Sequence, residues 1–97
     1  MATHRSVLSV PSAHPSLPGH FPGLPVVPGV VLLDLVLQTG ETWLARPVIA
    51  TGLRHVKFHA PLLPGQNAEW VLELAANTLS FQIRRDTRLI AQGAFDI

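Results

Sequence analysis

Hydrophobic residues are most dense in the segment 30–37, where Asp34 is the one charged residue. Apolar positions fall on every side of a helix drawn through this segment, a pattern typical of a helix that is buried all round. The pattern continues to about Leu44, with Gly40 as a weak point or an early end. We therefore predict one helix over 30–44, which tertiary packing must hold because its β-branched valines lower helix propensity.

The other segments read as strands joined by turns, because apolar and polar residues alternate along them with a period of two. The predicted strands are 7–10, 50–63, 69–76, 79–85 and 89–97, with turns at 64–67, 77–78 and near 86–87. Within 50–63 the alternation predicts one face with Leu53, His55, Lys57 and His59, and another with Arg54, Val56, Phe58 and Ala60. The order of elements predicts an α+β domain over residues 1–97, with an antiparallel meander of about four strands curved around the helix.

Residues 11–28 contain six prolines and two glycines, so neither a helix nor a central strand is expected there. Phe21, Leu24, Val26 and Val27 give this segment apolar anchors. We therefore predict a stiff, ordered loop rather than a floppy linker, and such loops often display active-site residues.

The composition places the chain among globular proteins, because 47% of its 97 residues are hydrophobic and 13% are charged. A domain of this size buries a limited fraction of its surface, so the apolar excess predicts a partner, most simply a second copy. A formal charge of +1 argues against nucleic-acid binding. The lack of cysteine excludes disulfides, thiol nucleophiles and cysteine-based metal sites. With no signal-peptide pattern and no bilayer-length apolar run, we expect a cytoplasmic protein without membrane contact.

Asp34 and His20 are the titratable residues that this pattern singles out. A lone carboxyl group is costly to bury, so its place in an apolar helix favours a cleft where it performs acid/base chemistry. The alternative is a solvent-exposed stripe shared with Gln38, one turn further along. His20 lies in the stiff loop between Gly19 and Phe21. Of the five histidines, His55 and His59 are four positions apart but lie in a predicted strand rather than a helix, and no carboxylate cluster accompanies them, so no metal site is expected.

A longer motif joins these residues. The run GHFPGLPVVPGV at 19–30, followed by Asp34 and Gln38, resembles the active-site signature of the FabA/FabZ-like 3-hydroxyacyl-acyl-carrier-protein dehydratases. A second run, VKFHAPLLPG at 56–65, is similar to that family's VKFxxPVxPGD strand and turn, with Gln66 in place of the usual acid. The resemblance covers roughly residues 7–97 and implies a hotdog fold, in which a curved antiparallel sheet wraps one central buried helix.

The resemblance assigns a role to each candidate. It implies that the chain removes water from a 3-hydroxyacyl thioester, giving the trans-2-enoyl thioester in fatty-acid or polyene-type biosynthesis. His20 is then the catalytic histidine, Asp34 the catalytic acid, and Gly29 the backbone N–H donor to the thioester carbonyl. No cofactor is implied, because the substrate is carried on a phosphopantetheine thioester. The supporting residues of the site are Phe21, Pro28, Val30 and Gln38.

Aspartate at position 34 matches the branch of the family that also isomerises its product, whereas the VVLL run at 30–33 looks more like the plain dehydratases. Isomerase activity therefore stays open. The chain is shorter than typical members because it lacks the N-terminal helix and hairpin that precede their first strand. We expect the substrate channel to be more open for that reason, or to be completed by a different partner. Short versions of this fold resemble accessory dehydratases of polyene or aryl-polyene pathways.

The implied partners are an acyl carrier protein and a second subunit, because the histidine and the acid come from different chains of a dimer in this family. A homodimer and a heterodimer with a related dehydratase both stay open. Arg84, Arg85 and Arg88 near the last hairpin are candidate contacts for an acidic carrier, or else form a solvated strand end. Two other functions compete, namely a hotdog acyl-thioesterase and a non-catalytic subunit of a heterodimeric dehydratase.

Overall fold

The computed structural model describes residues 1–11 and 26–97, so the predictions made for His20 and Phe21 lie outside the described residues. Within those ranges the chain forms one helix and five strands. No helix there has the length and apolarity needed to cross a membrane. In chain order the elements are β1 (Ala2–Leu8), α1 (Gly29–Leu44), β2 (Gly52–Phe58), β3 (Ala68–Ala75), β4 (Thr78–Arg85) and β5 (Arg88–Asp96).

The first strand lies earlier in the chain than predicted. Its bounds are Ala2–Leu8 rather than 7–10, and Val10 lies buried beyond its end. The reason is pairing with β3, since residues from Ala2 to Leu8 align in antiparallel register with residues from Leu74 to Ala68. That ladder supplies backbone hydrogen bonds to a largely polar segment, and side-chain propensity alone does not reveal such a partner.

The sheet is antiparallel, with strand order β1-β3-β4-β5-β2. Strands β3, β4 and β5 form the expected meander through turns at 76–77 and 86–87. The prediction that β2 is also part of that meander was wrong, because β2 pairs with β5 at the far edge of the sheet. A crossover of the chain from β2 to β3 therefore leaves β1 and β2 as the two edge strands.

A β-bulge in β2 changes the predicted faces of that strand. The register slips between Arg54 and Lys57, and His55 has a positive φ of 52°. Leu53 pairs with Phe95 and Phe58 pairs with Ala91, and both of these β5 residues are buried in the core. Leu53 and Phe58 therefore share the core side of the sheet, although an uninterrupted period of two would place them on opposite faces.

The core lies between one face of α1 and the concave side of the sheet. Val31, Leu32, Val36 and Gly40 are the buried residues of the helix. The side chains of Val31, Leu32 and Val36 belong to a cluster that also contains Trp70, Leu72, Leu79, Ile83 and Ile90 from the sheet. The predicted helix bounds are confirmed, but burial on all sides is not seen within one chain, because Val30 is 73% exposed and Asp34 and Gln38 are exposed too.

Gly40 is buried where the helix packs closely on the sheet, and the helix continues through it. A Cβ at this position would lie 3.1 Å from Leu79 Cδ2 and 3.7 Å from Leu72 Cδ2. We expect Gly40→Val to destabilise the fold by about 1–3 kcal/mol, because the extra methyl groups overpack a tight contact. The control, Thr42→Val at an exposed site on the same helix, should change stability by about 0.5 kcal/mol or less. Urea unfolding measures both values, and equal stability of the two variants would contradict the close approach.

Candidate functional site

The first turn of α1 is built to present backbone N–H groups. Pro28 precedes the helix in an extended conformation (φ −60°, ψ 143°) and gives it no side-chain cap. Its carbonyl oxygen accepts hydrogen bonds from Val31 N (3.0 Å) and Leu32 N (3.3 Å). Among the described residues, no backbone carbonyl accepts a bond from Gly29 N. The helix start also carries the positive end of the helix dipole, which attracts a developing negative charge.

Gly29 lies in the wall of a groove of about 420 Å³. Two chain segments form the walls, namely the residues leading into α1 and the residues following β2, and they are joined by a hydrogen bond from Val27 N to Leu62 O of 2.9 Å. The lining is largely apolar and includes Val26, Pro28, Gly29, Phe58, His59 and Pro61. An apolar groove that ends at backbone N–H donors suits a thioester whose carbonyl is the one polar group needing a partner.

Asp34 lies on the part of α1 that the sheet does not cover. Val30, Asp34 and Gln38 follow one another at four-residue spacing and are all exposed. Gln38 Nε2 donates a hydrogen bond of 2.7 Å to Asp34 Oδ2, which fixes the carboxyl group and leaves Oδ1 open. The prediction of a buried Asp34 in an apolar cleft is wrong for a single chain, and the solvent-exposed stripe is what the structure has. The stripe lies on a different side of α1 from the side that the sheet buries.

Gly29 and Asp34 do not meet within one chain. Gly29 lines the groove beside Phe58, whereas Asp34 is absent from the described lining of that groove. They are five positions apart, which turns a helix by about 140°. Within the described residues, one chain therefore does not bring the Asp34 carboxyl group into the wall of the groove that Gly29 lines.

Two residues of the groove had no role in the sequence analysis. Phe58 contacts the Cα side of Gly29, and His59 lines the same groove after the end of β2. The motif VKFH at 56–59 contains both, so the sequence marked the segment but not the contact. The prediction that His55 and His59 share a strand face was wrong, because His55 lies in the bulge and lines the outer side of the sheet.

The arginines near the last hairpin are partly engaged. Arg84 Nε donates to Gln82 Oε1 (3.1 Å), and Arg85 Nη1 donates to the carbonyl oxygen of Asn67 (2.8 Å). Arg85 and Arg88 line a hollow of about 540 Å³, whose other lining residues include Val26 and Pro61 from the wall of the Gly29 groove. The cationic turn and the groove therefore adjoin.

A larger hollow, of about 690 Å³, lies on the outer side of the sheet. Its lining is mostly polar and includes Arg5, His55, Lys57, Glu73, Gln82 and Gln92. None of the predicted site residues that the structure describes takes part in it, so we place the candidate site at the smaller groove. Within residues 1–11 and 26–97, no group of three or more histidine and carboxylate side chains is arranged to hold a metal ion.

Curated relatives carry a dehydratase name. The chain is 36% identical over 64 residues to 3-hydroxyacyl-acyl-carrier-protein dehydratase FabZ of Nitratidesulfovibrio vulgaris, covering 57% of this chain and 42% of that protein. The corresponding FabZ of Symbiobacterium thermophilum is 32% identical over 78 residues, covering 73% of this chain and 55% of the relative. The matches thus span about half the length of these relatives.

Solved structures confirm the fold. The dehydratase heterocomplex ApeI:P from Xenorhabdus doucetiae matches with a TM-score of 0.87 and 27% identity over 97% of this chain and 85% of that one. An uncharacterized protein from Erwinia carotovora subsp. atroseptica gives 0.74 and 27% identity over 99% of this chain and 91% of that one. The hotdog fold, with one helix on a five-stranded antiparallel sheet, is therefore established as predicted. The sequence model of the ApeI-like family, described as ApeI dehydratase, matches residues 2–94. The chain belongs to the ApeI-like family of hotdog dehydratases.

Proposed function

We propose that the protein removes water from a 3-hydroxyacyl thioester to give the trans-2-enoyl thioester, in fatty-acid or polyene-type biosynthesis. The observation that carries this proposal is the apolar groove ending at the N-terminus of α1, with Gly29 in its wall. The family membership and the FabZ relatives favour the same reaction. The substrate brings its own reactive group as a thioester, so the proposed chemistry requires no further cofactor.

Gly29 begins the reaction by binding the thioester carbonyl. The C2 proton of the substrate is weakly acidic until that carbonyl is polarised. A backbone N–H at a helix start is fixed before the substrate arrives and stabilises the enolate oxygen as charge develops on it. Removing one such donor from other enzymes costs about 3 kcal/mol in the transition state. The largely apolar lining of the groove would strengthen this hydrogen bond relative to bulk water.

His20 and the carboxyl group of Asp34 then move the protons. His20 accepts the C2 proton as general base. Asp34, in its acid form, gives its proton to the C3 hydroxyl, so the C3–O bond breaks, water leaves and the C2–C3 double bond forms. Transfer of one proton from the imidazolium to the carboxylate restores both groups. Gln38 supports this role, because its hydrogen bond to Oδ2 directs the remaining oxygen of Asp34 outward.

We place each active site between two chains. Asp34 is exposed and does not share a groove with Gly29 of its own chain, so a partner's helix packed against the Val30–Asp34–Gln38 stripe would supply the acid. The same packing would cover Val30, which is 73% exposed. The ApeI:P relative is a heterocomplex, so the partner is either a second copy or a related dehydratase.

The proposed substrate carrier is an acyl carrier protein with a phosphopantetheine arm. Arg85 and Arg88 line the hollow next to the Gly29 groove, where they would face a phosphate or an acidic protein surface. Arg85 already donates to Asn67 O, and Arg88 is the exposed arginine of the turn, beside the exposed Asp86. This arrangement fits a carrier that docks at the turn and delivers its thioester to Gly29.

The decisive experiment supplies the purified protein with 3-hydroxyacyl thioesters of several chain lengths and follows two products separately. We expect the enoyl thioester to accumulate without release of free thiol. Free thiol without enoyl product would identify a thioesterase and contradict the proposal. Activity that appears only after a related dehydratase is added, and persists when Asp34 and His20 of this chain are both replaced, would identify a non-catalytic subunit.

A further inference from the structure

We propose that Phe58 is a positioning residue for the reaction, which holds the Gly29 peptide so that its N–H points into the groove. This inference rests on the proposed function. A Cβ built on Gly29 would lie 2.6 Å from Phe58 Cζ and 3.0 Å from both Cε atoms. The far edge of the ring therefore lies against Gly29, so that a side chain on residue 29 would have to displace the ring. The contact joins the edge strand to the first turn of the helix.

The bulge in β2 is what turns Phe58 toward the helix. Counting by twos from Leu53, which faces the core, would place Phe58 on the outer side of the sheet. The extra residue between Arg54 and Lys57 reverses this, so that Phe58 pairs with Ala91 on the core side. Bulges often re-aim side chains beside active sites, and here the re-aimed ring reaches Gly29.

Phe58 is held from both directions along the chain. Its own backbone is paired with β5, and the next two residues donate to one acceptor, His59 N to Ile90 O at 2.8 Å and Ala60 N to Ile90 O at 3.2 Å. On the helix side, the bond from Val27 N to Leu62 O ties the residues before Gly29 to the same segment. The contact between the ring and Gly29 therefore lies between two sets of backbone hydrogen bonds, one to β5 and one to the residues before the helix.

The ring nevertheless remains 51% exposed and lines the groove. A phenyl ring that served only as core would bury most of its surface, whereas this one buries its edge on Gly29 and leaves a face open. A substrate in the groove would pack on that face while its carbonyl meets the Gly29 N–H. Because this N–H acts on charge that develops only in the transition state, losing its alignment should lower kcat more than it raises KM.

The sharpest test is Phe58→Tyr, which adds one oxygen at Cζ, the ring atom nearest to Gly29. A ring that merely faced solvent would tolerate that oxygen, whereas here the oxygen is added at the ring atom that lies against Gly29, so the ring or the Gly29 peptide would have to shift. We expect kcat to fall by about 10-fold or more with KM within about twofold, the scale of a small misplacement of a reacting group. Phe58→Leu, which withdraws the ring edge, should have a similar effect.

Leu53→Ala is the matched control for these variants. Leu53 lies on the same strand and the same side of the sheet, its exposure is similar, and it is not among the lining residues of the groove. The kcat of Leu53→Ala should stay within about twofold of the wild-type value.

A double variant, Gly29→Ala with Phe58→Leu, tests the contact itself. If the two residues act through one contact, the double variant should be no slower than Gly29→Ala alone, because the shortened side chain makes room for the methyl group. Losses that multiply, or a wild-type kcat for Phe58→Tyr and Phe58→Leu, would overturn the inference while leaving the dehydratase proposal intact. A wild-type protein that dehydrates no thioester would overturn both. Far-UV circular dichroism confirms that each variant is folded before its rate is compared.

Discussion

Asp34→Asn should lower dehydration turnover by about 10²-fold or more, the usual scale for losing a general acid. The variant keeps the shape of the side chain, and an amide at position 34 can still accept the hydrogen bond from Gln38 Nε2. Because Asp34 is exposed on the helix rather than packed in the core, its replacement leaves the hydrophobic cluster unchanged. The loss should therefore appear in the rate and not in the unfolding temperature.

His20→Ala should have an effect of the same size, since it removes the proposed general base. The matched control for Asp34 is Glu41→Gln, which neutralises an exposed carboxyl group two turns further along the same helix. That control should retain near-normal turnover. Steady-state rates with one 3-hydroxyacyl thioester decide the matter. Near-normal turnover of Asp34→Asn would show that the acid is another group, and the thioesterase and scaffold interpretations would gain.

Local signals in the sequence were sufficient for the helix. The apolar run at 30–37 and the prolines before it placed α1 within one residue of its observed start, and the predicted end at Leu44 is also correct. Both signals act over a few neighbouring residues. Strands β3, β4 and β5 were placed to within one or two residues for the same reason, since their turns at 76–77 and 86–87 are short and local.

Pairing between distant strands was not predictable in this way. Whether β2 joins β3 or β5 depends on a crossover, and both choices satisfy the same alternation of side chains. The bulge at His55 is a second case, because an inserted residue reverses the faces without any glycine or proline to announce it. The contact between Gly29 and Phe58 depends on both features. The motif contained the two residues but gave no reason to connect them.

The exposure of Asp34 illustrates a different limit. The all-round apolar pattern of the helix led to a prediction of burial, yet one chain covers only the side with Val31, Leu32 and Val36. The apolar pattern of a helix indicates which of its sides are buried in the assembled protein. It does not tell whether the chain's own sheet or a second chain buries a given side. The uncovered stripe at Val30, Asp34 and Gln38 is what the proposed partner would cover.

Mixing two inactive variants should therefore restore activity. In a His20→Ala protein the Asp34 carboxyl group is intact, and in an Asp34→Asn protein His20 is intact. If each site takes the histidine and Gly29 from one chain and the acid from the other, a mixed dimer contains one site with both groups and one with neither. Separation of Gly29 from Asp34 within the chain, on different sides of α1, is the structural basis for this expectation.

When equal amounts of the two variants exchange subunits at random, about half of the dimers contain one chain of each variant. Each mixed dimer has one working site of two, so about a quarter of the wild-type activity should return. Starting from variants that retain about 1% of the rate or less, this is a gain of about 25-fold or more. Exchange is followed independently with a differently tagged copy of each variant, and each variant mixed with itself is the control. Full exchange without recovery would mean that both catalytic groups of a site belong to one chain, and the exposed Asp34 stripe would then need another explanation.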